Sequence, residues 1–121
     1  MVTLRHLCKT YARDQAMVSA LQDVNLEIQY GEFCALVGPS GCGKSTLLNL
    51  VAGLDVPTSG EIVLDGRSTT NLTSHEWTKI RRETIGIVFQ AFHLVHGLTA
   101  EENVALPLML RGDDGRGISK R

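Results

Sequence analysis

The feature that most restricts the fold of this chain is a glycine-rich run at residues 38–45, which reads GPSGCGKS. It matches the pattern G-x-x-x-x-G-K-[ST] in full. Glycines let the backbone curl so that consecutive N–H groups point into one concavity, and such a concavity binds anions. Lys44 supplies a positive charge for the terminal phosphates, Ser45 a hydroxyl for Mg²⁺, and Thr46 a hydrogen bond to a phosphate oxygen. The run therefore predicts a phosphate-binding loop.

The segments on either side of this loop have the patterns that such a loop requires, a strand before it and a helix after it. Residues 33–37 (FCALV) form a continuous apolar run, which is typical of a strand buried on both faces. The residues after the loop predict a helix over about 44–53 that closes near Gly53. A second apolar run, residues 85–89 (IGIVF), predicts another buried strand. Together these patterns indicate an α/β fold.

The rest of the first half has the pattern of antiparallel strands. We predict a strand over residues 2–11, a loop over the small and polar residues 12–20, and a turn at residues 30–32. Two segments alternate in polarity with the period of a half-buried strand. Their apolar faces consist of Val24, Leu26 and Ile28 in residues 23–29, and of Ile62 and Leu64 in residues 61–65.

Two capping-box patterns predict helices in the second half. Residues 73–76 (TSHE) open a helix over 74–83, and residues 99–102 (TAEE) open one that runs to about 110. Pro107 is expected to kink the second helix or to end its regular part. Residues 90–98 are predicted to form a loop, and the glycine-rich, charged residues 111–121 a frayed tail.

Composition narrows the functional classes. Twelve Lys and Arg residues against thirteen Asp and Glu give a net charge of −1 and no basic stripe, so nucleic acid is not an expected partner. No apolar run approaches the roughly 20 residues of a membrane-spanning helix. The three cysteines, Cys8, Cys34 and Cys42, have no C-x-x-C spacing, which argues against a disulfide framework or a zinc site and fits a reducing cytoplasm.

Read as a whole, residues 38–66 (GPSGCGKSTLLNLVAGLDVPTSGEIVLDG) resemble the ATP-binding subunits of ABC transporters, and among them the lipoprotein-releasing and macrolide-export branch. Further segments carry the same resemblance over residues 1–112. They are Thr10-Tyr11 near the start, WTKIRR (77–82) before IGIVFQ (85–90), and LTAEENV (98–104).

The resemblance implies a P-loop NTPase fold, of which this chain would be a fragment of the nucleotide-binding domain. We expect an N-terminal antiparallel β piece and an incomplete parallel sheet, with residues 1–112 forming the N-terminal half of the domain and 113–121 a polar tail. The LSGGQ signature, the Walker B strand and the switch histidine of the family have no match here, so the chain looks truncated. Residues 33–37 and 85–89 are then expected to have exposed edges and faces.

The resemblance also implies a set of site residues. An aromatic at Tyr11 would stack on adenine, Lys44 and Gln90 would act in catalysis, and Ser45 and Gln90 would hold Mg²⁺. The residues implied to bind ATP are Tyr11, Gly38, Ser40, Gly41, Cys42, Gly43, Lys44, Ser45 and Thr46. His93 and His96 are interpreted as ordinary loop histidines, because no carboxylate accompanies them.

The function implied is that of the ATP-binding component of an ABC transporter, which couples ATP binding and hydrolysis to transport by membrane subunits. Its partners would be transmembrane permease subunits and a second copy in an ATP-sandwiching dimer. It would lie in the cytoplasm, at the inner face of the membrane. The alternative is a nucleotide-binding fragment without ATPase activity or independent role. A different P-loop enzyme, such as a small-molecule kinase, is disfavoured because the resemblance extends far beyond Ser45.

Overall fold

The computed structural model describes residues 1–13, 16–91 and 93–112. The chain divides into two compact units, Met1–Thr73 and Ser74–Arg121. The first holds the glycine-rich loop and the second holds the two capping-box helices.

An antiparallel sheet forms the framework of the first unit. Strands β1 (Val2–Arg13) and β2 (Ala16–Ile28) make a long hairpin, while β3 (Ser59–Leu64) and β4 (Arg67–Ser68) extend it in the order β2-β1-β3-β4. The predicted strands at residues 2–11, 23–29 and 61–65 are therefore confirmed.

The predicted loop over residues 12–20 is wrong for the residues that the structure describes. Ala12 pairs with Met17 and Thr10 with Ser19, so both strands continue toward the hairpin tip. The cause is cross-strand pairing. Once the inner parts of β1 and β2 are paired, the backbone of each strand can form hydrogen bonds with the next residues of the other. This pairing outweighs the weak preference of small polar residues for loops.

Leucine and isoleucine side chains form the core of the first unit between the sheet and helix α1 (Lys44–Val51), which contacts β2. Leu7, Leu50 and Ile62 are almost completely buried. The apolar positions predicted to face inward in residues 61–65 do so. The other buried leucines are Leu4, Leu21, Leu47 and Leu64.

Residues 33–37 do not form the predicted strand, and neither do residues 85–89. Phe33 is 94% exposed and Val88 is fully exposed. A continuous apolar run becomes a central strand only when neighbouring strands supply partners on both edges. The one sheet in the described part of the chain is antiparallel and includes neither segment. The expectation that both runs would be left exposed is confirmed.

The second unit contains α2 (Ser74–Glu83) and α3 (Ala100–Leu110), as predicted. At the start of α3 the Thr99 hydroxyl accepts a hydrogen bond from the Glu102 N–H at 3.2 Å, and the Glu102 carboxylate accepts one from the Thr99 N–H at 2.7 Å. The bond from the Thr99 N–H, together with the nearby Thr99 hydroxyl, lowers the pKa of the Glu102 carboxyl. Helix α3 runs through Pro107 to Leu110, so Pro107 does not end it. Described residues between 90 and 98 form the predicted loop, and the tail at 113–121 lies outside the described residues.

Replacing Thr99 with alanine is expected to weaken α3, because the Thr99 hydroxyl is the acceptor for the Glu102 N–H in the capping box. Loss of such an N-cap lowers helix or protein stability by about 0.5–2 kcal/mol. Thermal unfolding followed by far-UV circular dichroism measures the change. Thr99→Ser keeps the hydroxyl and serves as the control, and equal unfolding curves for Thr99→Ala and the parent chain would contradict the assignment.

Candidate phosphate-binding site

The glycine-rich loop leads directly into α1, as the motif predicts. Gly41 and Gly43 have φ values of 81° and 94°, a backbone region that glycine adopts without strain. Gly43 is the N-cap of α1, and no side chain in the described residues makes a capping hydrogen bond there. The first-turn N–H groups of α1 thus have no side-chain acceptor, which is the arrangement that binds an anion at a helix N-terminus.

Gly43 also fixes the position of the loop on the hairpin. A Cβ atom at this position would lie 2.5 Å from the carbonyl oxygen of Ala20 and 2.9 Å from Cδ2 of Leu21, both on β2. Only glycine allows this approach. The start of α1 is therefore set directly against the backbone of β2.

The Lys44 ammonium lies over the loop. Its Nζ donates to the carbonyl oxygens of Gly38 at 2.8 Å and Pro39 at 2.6 Å, and lies 3.5 Å from the Sγ of Cys42. The positive charge is thus held at the start of the loop by the neutral carbonyl groups of Gly38 and Pro39. A phosphate oxygen carries more negative charge than a carbonyl and would be a better acceptor for the same ammonium.

Tyr11 lies near the same helix. The Thr46 side chain, in the first turn of α1, opposes the rise in the pKa of the Tyr11 hydroxyl, and 38% of the tyrosine surface is exposed. Tyr11 and Thr46, which follows the loop, are thus close in the structure although they are more than 30 positions apart in sequence. Ser40 and Ser45 are exposed.

Gln90 lies in the second unit, at an exposed turn. Nearby, the imidazole of His93 packs edge-on against Phe89, with ring centroids 4.8 Å apart. Within the residues that the structure describes, no group of three or more His, Cys, Asp and Glu side chains could hold a metal ion.

Sequence reasoning missed Asp55, which lies just after α1. Its carboxylate accepts hydrogen bonds from the Tyr11 hydroxyl at 2.7 Å and from the Lys9 ammonium at 2.6 Å. Burial raises the pKa of Asp55, but the hydrogen bonds from Lys9, Tyr11 and the Val56 N–H outweigh it and leave the pKa below its ordinary value. The i, i+2 spacing places Lys9 and Tyr11 on one face of β1, but nothing in the sequence links them to Asp55.

Comparison with known proteins decides the family. A protein-family model described as "ABC transporter" matches residues 21–120. The chain belongs to the ABC transporter family. It is 48% identical over all of its 121 residues to an uncharacterized ABC transporter ATP-binding protein of Methanocaldococcus jannaschii, 54% of which it covers. It is 44% identical over 109 residues to the lipoprotein-releasing system ATP-binding protein LolD of Bordetella avium, with 90% of this chain and 47% of that protein covered.

A solved structure shows the same fold. It is the dimeric ATP-binding cassette in a post-hydrolysis state bound to ADP and Pi, with a TM-score of 0.87 and 50% identity over 92% of this chain and 48% of that one. The predicted fold, a fragment of an ABC nucleotide-binding domain, is confirmed. The resemblance to the lipoprotein-releasing and macrolide-export branch is confirmed by relatives of both kinds.

This ABC family chain spans about half the length of the first relatives that it matches. None of the helices in its described part is long and apolar enough to cross a membrane.

Gly43→Ala is expected to displace the loop, because the added Cβ would collide with the Ala20 carbonyl and the residue would keep a φ near 94°. The strain and the displacement together should lower the free energy of unfolding by about 2 kcal/mol or more. Denaturant unfolding measures the loss. Gly86→Ala is the control, since a Cβ there meets nothing within 4 Å. Equal stability of the two variants would show that Gly43 does not fix the loop.

Proposed function

We propose that this ABC family chain is the ATP-binding component of a transporter. Residues 38–45 would hold the triphosphate and Tyr11 would stack on adenine. The observation that carries the proposal is the joint geometry of the loop. An uncapped helix N-terminus, the Lys44 ammonium at the loop and an aromatic ring near the same helix all occur in one unit.

The triphosphate is supported by charge and by backbone geometry. The N–H groups at the start of α1 and the helix dipole favour negative charge at this end. The Lys44 ammonium would exchange the carbonyl oxygens of Gly38 and Pro39 for phosphate oxygens. Ser40, Gly41, Cys42 and Gly43 would contribute backbone groups of the loop, and Thr46 a hydroxyl.

Mg²⁺ fits the donors that this chain offers. Ser45 supplies a hydroxyl oxygen and Gln90 an amide oxygen, and hard oxygen donors are what Mg²⁺ prefers. When bound with ATP, Mg²⁺ would neutralise charge on the terminal phosphates. Lys44 would stabilise the same charge, and Gln90 would also orient the attacking water.

The proposed biological role is to couple ATP binding and hydrolysis to transport by membrane permease subunits. The relatives are named as ATP-binding proteins or as ATP-binding/permease proteins, and the solved relative is dimeric. We infer that the partners are permease subunits and a second cassette, and that the protein works at the cytoplasmic face of the membrane.

A second candidate is a nucleotide-binding fragment that does not hydrolyse ATP by itself. It is favoured by the exposed runs at residues 33–37 and 85–89, which belong to no sheet in the part of the chain that the structure describes. The sequence also contains no match to the family's Walker B strand or LSGGQ signature. The carboxylate of Asp55, which lies close to the site, already accepts hydrogen bonds from Lys9 and Tyr11.

Lys44→Ala is expected to lower the affinity for Mg-ATP by about ten- to a hundredfold, because a charge-assisted hydrogen bond contributes about 1.5–3 kcal/mol. Isothermal titration calorimetry measures the dissociation constant. Lys79→Ala removes an exposed lysine of α2 in the second unit and is the matched control. An affinity that is unchanged in Lys44→Ala would exclude the loop as the triphosphate site.

The 121-residue chain alone is expected to bind ATP without steady-state turnover. Phosphoryl transfer needs a positioned metal, a group that orients water, and charge stabilisation at the γ-phosphate. The chain offers Lys44, Ser45 and Gln90 but no candidate for the catalytic carboxylate. A phosphate-release assay tests this. Turnover above background that disappears in Lys44→Ala would contradict the prediction and favour a complete active site.

A further inference from the structure

The carboxylate of Asp55 links two side chains of β1. Its Oδ1 accepts from the Lys9 ammonium at 2.6 Å, and its Oδ2 accepts from the Tyr11 hydroxyl at 2.7 Å. The N–H of Val56 also donates to Oδ1 at 2.7 Å, which fixes the orientation of the carboxylate. Both oxygens are therefore occupied by groups of defined geometry.

Lys9 adds a second constraint on the tyrosine. Its ammonium also donates to the Val56 carbonyl at 2.7 Å, and only 12% of its side chain is exposed. It lies 4.7 Å from the centroid of the Tyr11 ring, within the range of a cation–π contact. The ring is thus held at its hydroxyl by Asp55 and supported on its face by Lys9.

We propose that Asp55 is a positioning residue that orients Tyr11 for the nucleotide base, and so sets affinity for the base without affecting the phosphates. This inference rests on the proposed function, in which Tyr11 stacks on adenine. Asp55 itself would not touch the nucleotide and acts only through the tyrosine.

The physical reason is preorganisation. A partly exposed tyrosine on a strand has several rotamers, and fixing one when the ligand binds costs conformational entropy. The hydrogen bond to Asp55 and the cation–π contact with Lys9 fix the ring beforehand. Because Asp55 lies in the segment that follows α1, the ring is held relative to the helix that begins at the phosphate loop. A base could then stack without first ordering Tyr11.

The proton affinity of the phenol reports this contact directly. The hydrogen bond to the Asp55 carboxylate raises the pKa of Tyr11, as does burial, and the opposing effects of Thr46 and Lys9 do not cancel it. Breaking the contact should return the pKa toward its ordinary value. This signal is independent of nucleotide binding.

The test compares Mg-ATP with inorganic Mg-tripolyphosphate, which has the phosphates but no base, by calorimetry on the full chain. Asp55→Asn keeps the shape of the side chain but removes the charge that pairs with Lys9. We expect it to weaken ATP binding by about two- to tenfold, the range for losing one preordered side chain. Tripolyphosphate affinity should stay unchanged.

Asp65→Asn is a matched control. The Asp65 carboxylate accepts a hydrogen bond from the Tyr30 hydroxyl at 2.8 Å, between β3 and β4, and raises the pKa of Tyr30. Asp65 lies in the turn between those strands, and its bond to Tyr30 is a tyrosine–carboxylate contact of the same kind as that between Tyr11 and Asp55. Neither ligand should bind differently to this variant.

Variants of the tyrosine itself separate a positioning role of Asp55 from a general structural role. Tyr11→Phe keeps the ring but cannot bond to Asp55, so it should lose as much ATP affinity as Asp55→Asn, and the double variant should lose no more than either. Tyr11→Ala should remove the preference for ATP over tripolyphosphate.

In a Tyr30→Phe background, ultraviolet titration of the remaining tyrosine should show a lower pKa when Asp55 is changed to Asn.

The outcomes distinguish a failure of the proposed function from a failure of the positioning role of Asp55. A parent chain that binds neither ligand overturns the proposed function and this inference with it. A parent chain that prefers ATP, with the preference retained in Asp55→Asn, overturns only the positioning role, and so does an equal loss of both ligands. If Asp55→Asn does not fold, Tyr11→Phe decides, because it leaves the Lys9–Asp55 pair in place: full retention of the preference overturns the inference.

Discussion

The close contact between Gly43 and the backbone of β2 is the constraint on which the rest of the first unit depends. It brings the start of α1 against the Ala20 carbonyl at a distance that no side chain would allow. From this point Leu47 and Leu50 of α1 extend into the core. Burying such side chains contributes roughly 1.5–3 kcal/mol each, so the packing that stabilises the unit also holds the phosphate loop in place.

The apolar runs at residues 33–37 and 85–89 show the opposite situation. Their sequence has the hydrophobicity of central strands, yet they pair with no strand among the described residues, and Val37 is 85% exposed. In a parallel sheet, each backbone N–H and C=O forms a hydrogen bond with a neighbouring strand. The relatives of this chain are about twice as long. Exposed runs of this kind are sites of aggregation or of pairing with another chain segment.

Around Tyr11 the site is organised by charge. The Lys9–Asp55 pair is largely shielded from solvent, and the tyrosine hydroxyl joins it at the same carboxylate. A single carboxylate thus neutralises a lysine and holds the hydroxyl of an aromatic ring. The arrangement connects β1 to the segment after α1, beside the proposed nucleotide site.

The sequence by itself determined the phosphate loop, the helix after it and the two capping-box helices, because each depends on interactions between residues close along the chain. It also determined the family, because the motifs that carry the resemblance are contiguous in sequence. The capping box of Thr99 and Glu102 is an example. Only the tertiary structure decided that residues 12–20 belong largely to strands and that residues 33–37 do not. It alone also joined Asp55 to Tyr11, 44 positions away. Strand pairing and carboxylate partners depend on segments distant in sequence, and no local pattern specifies which of them will meet.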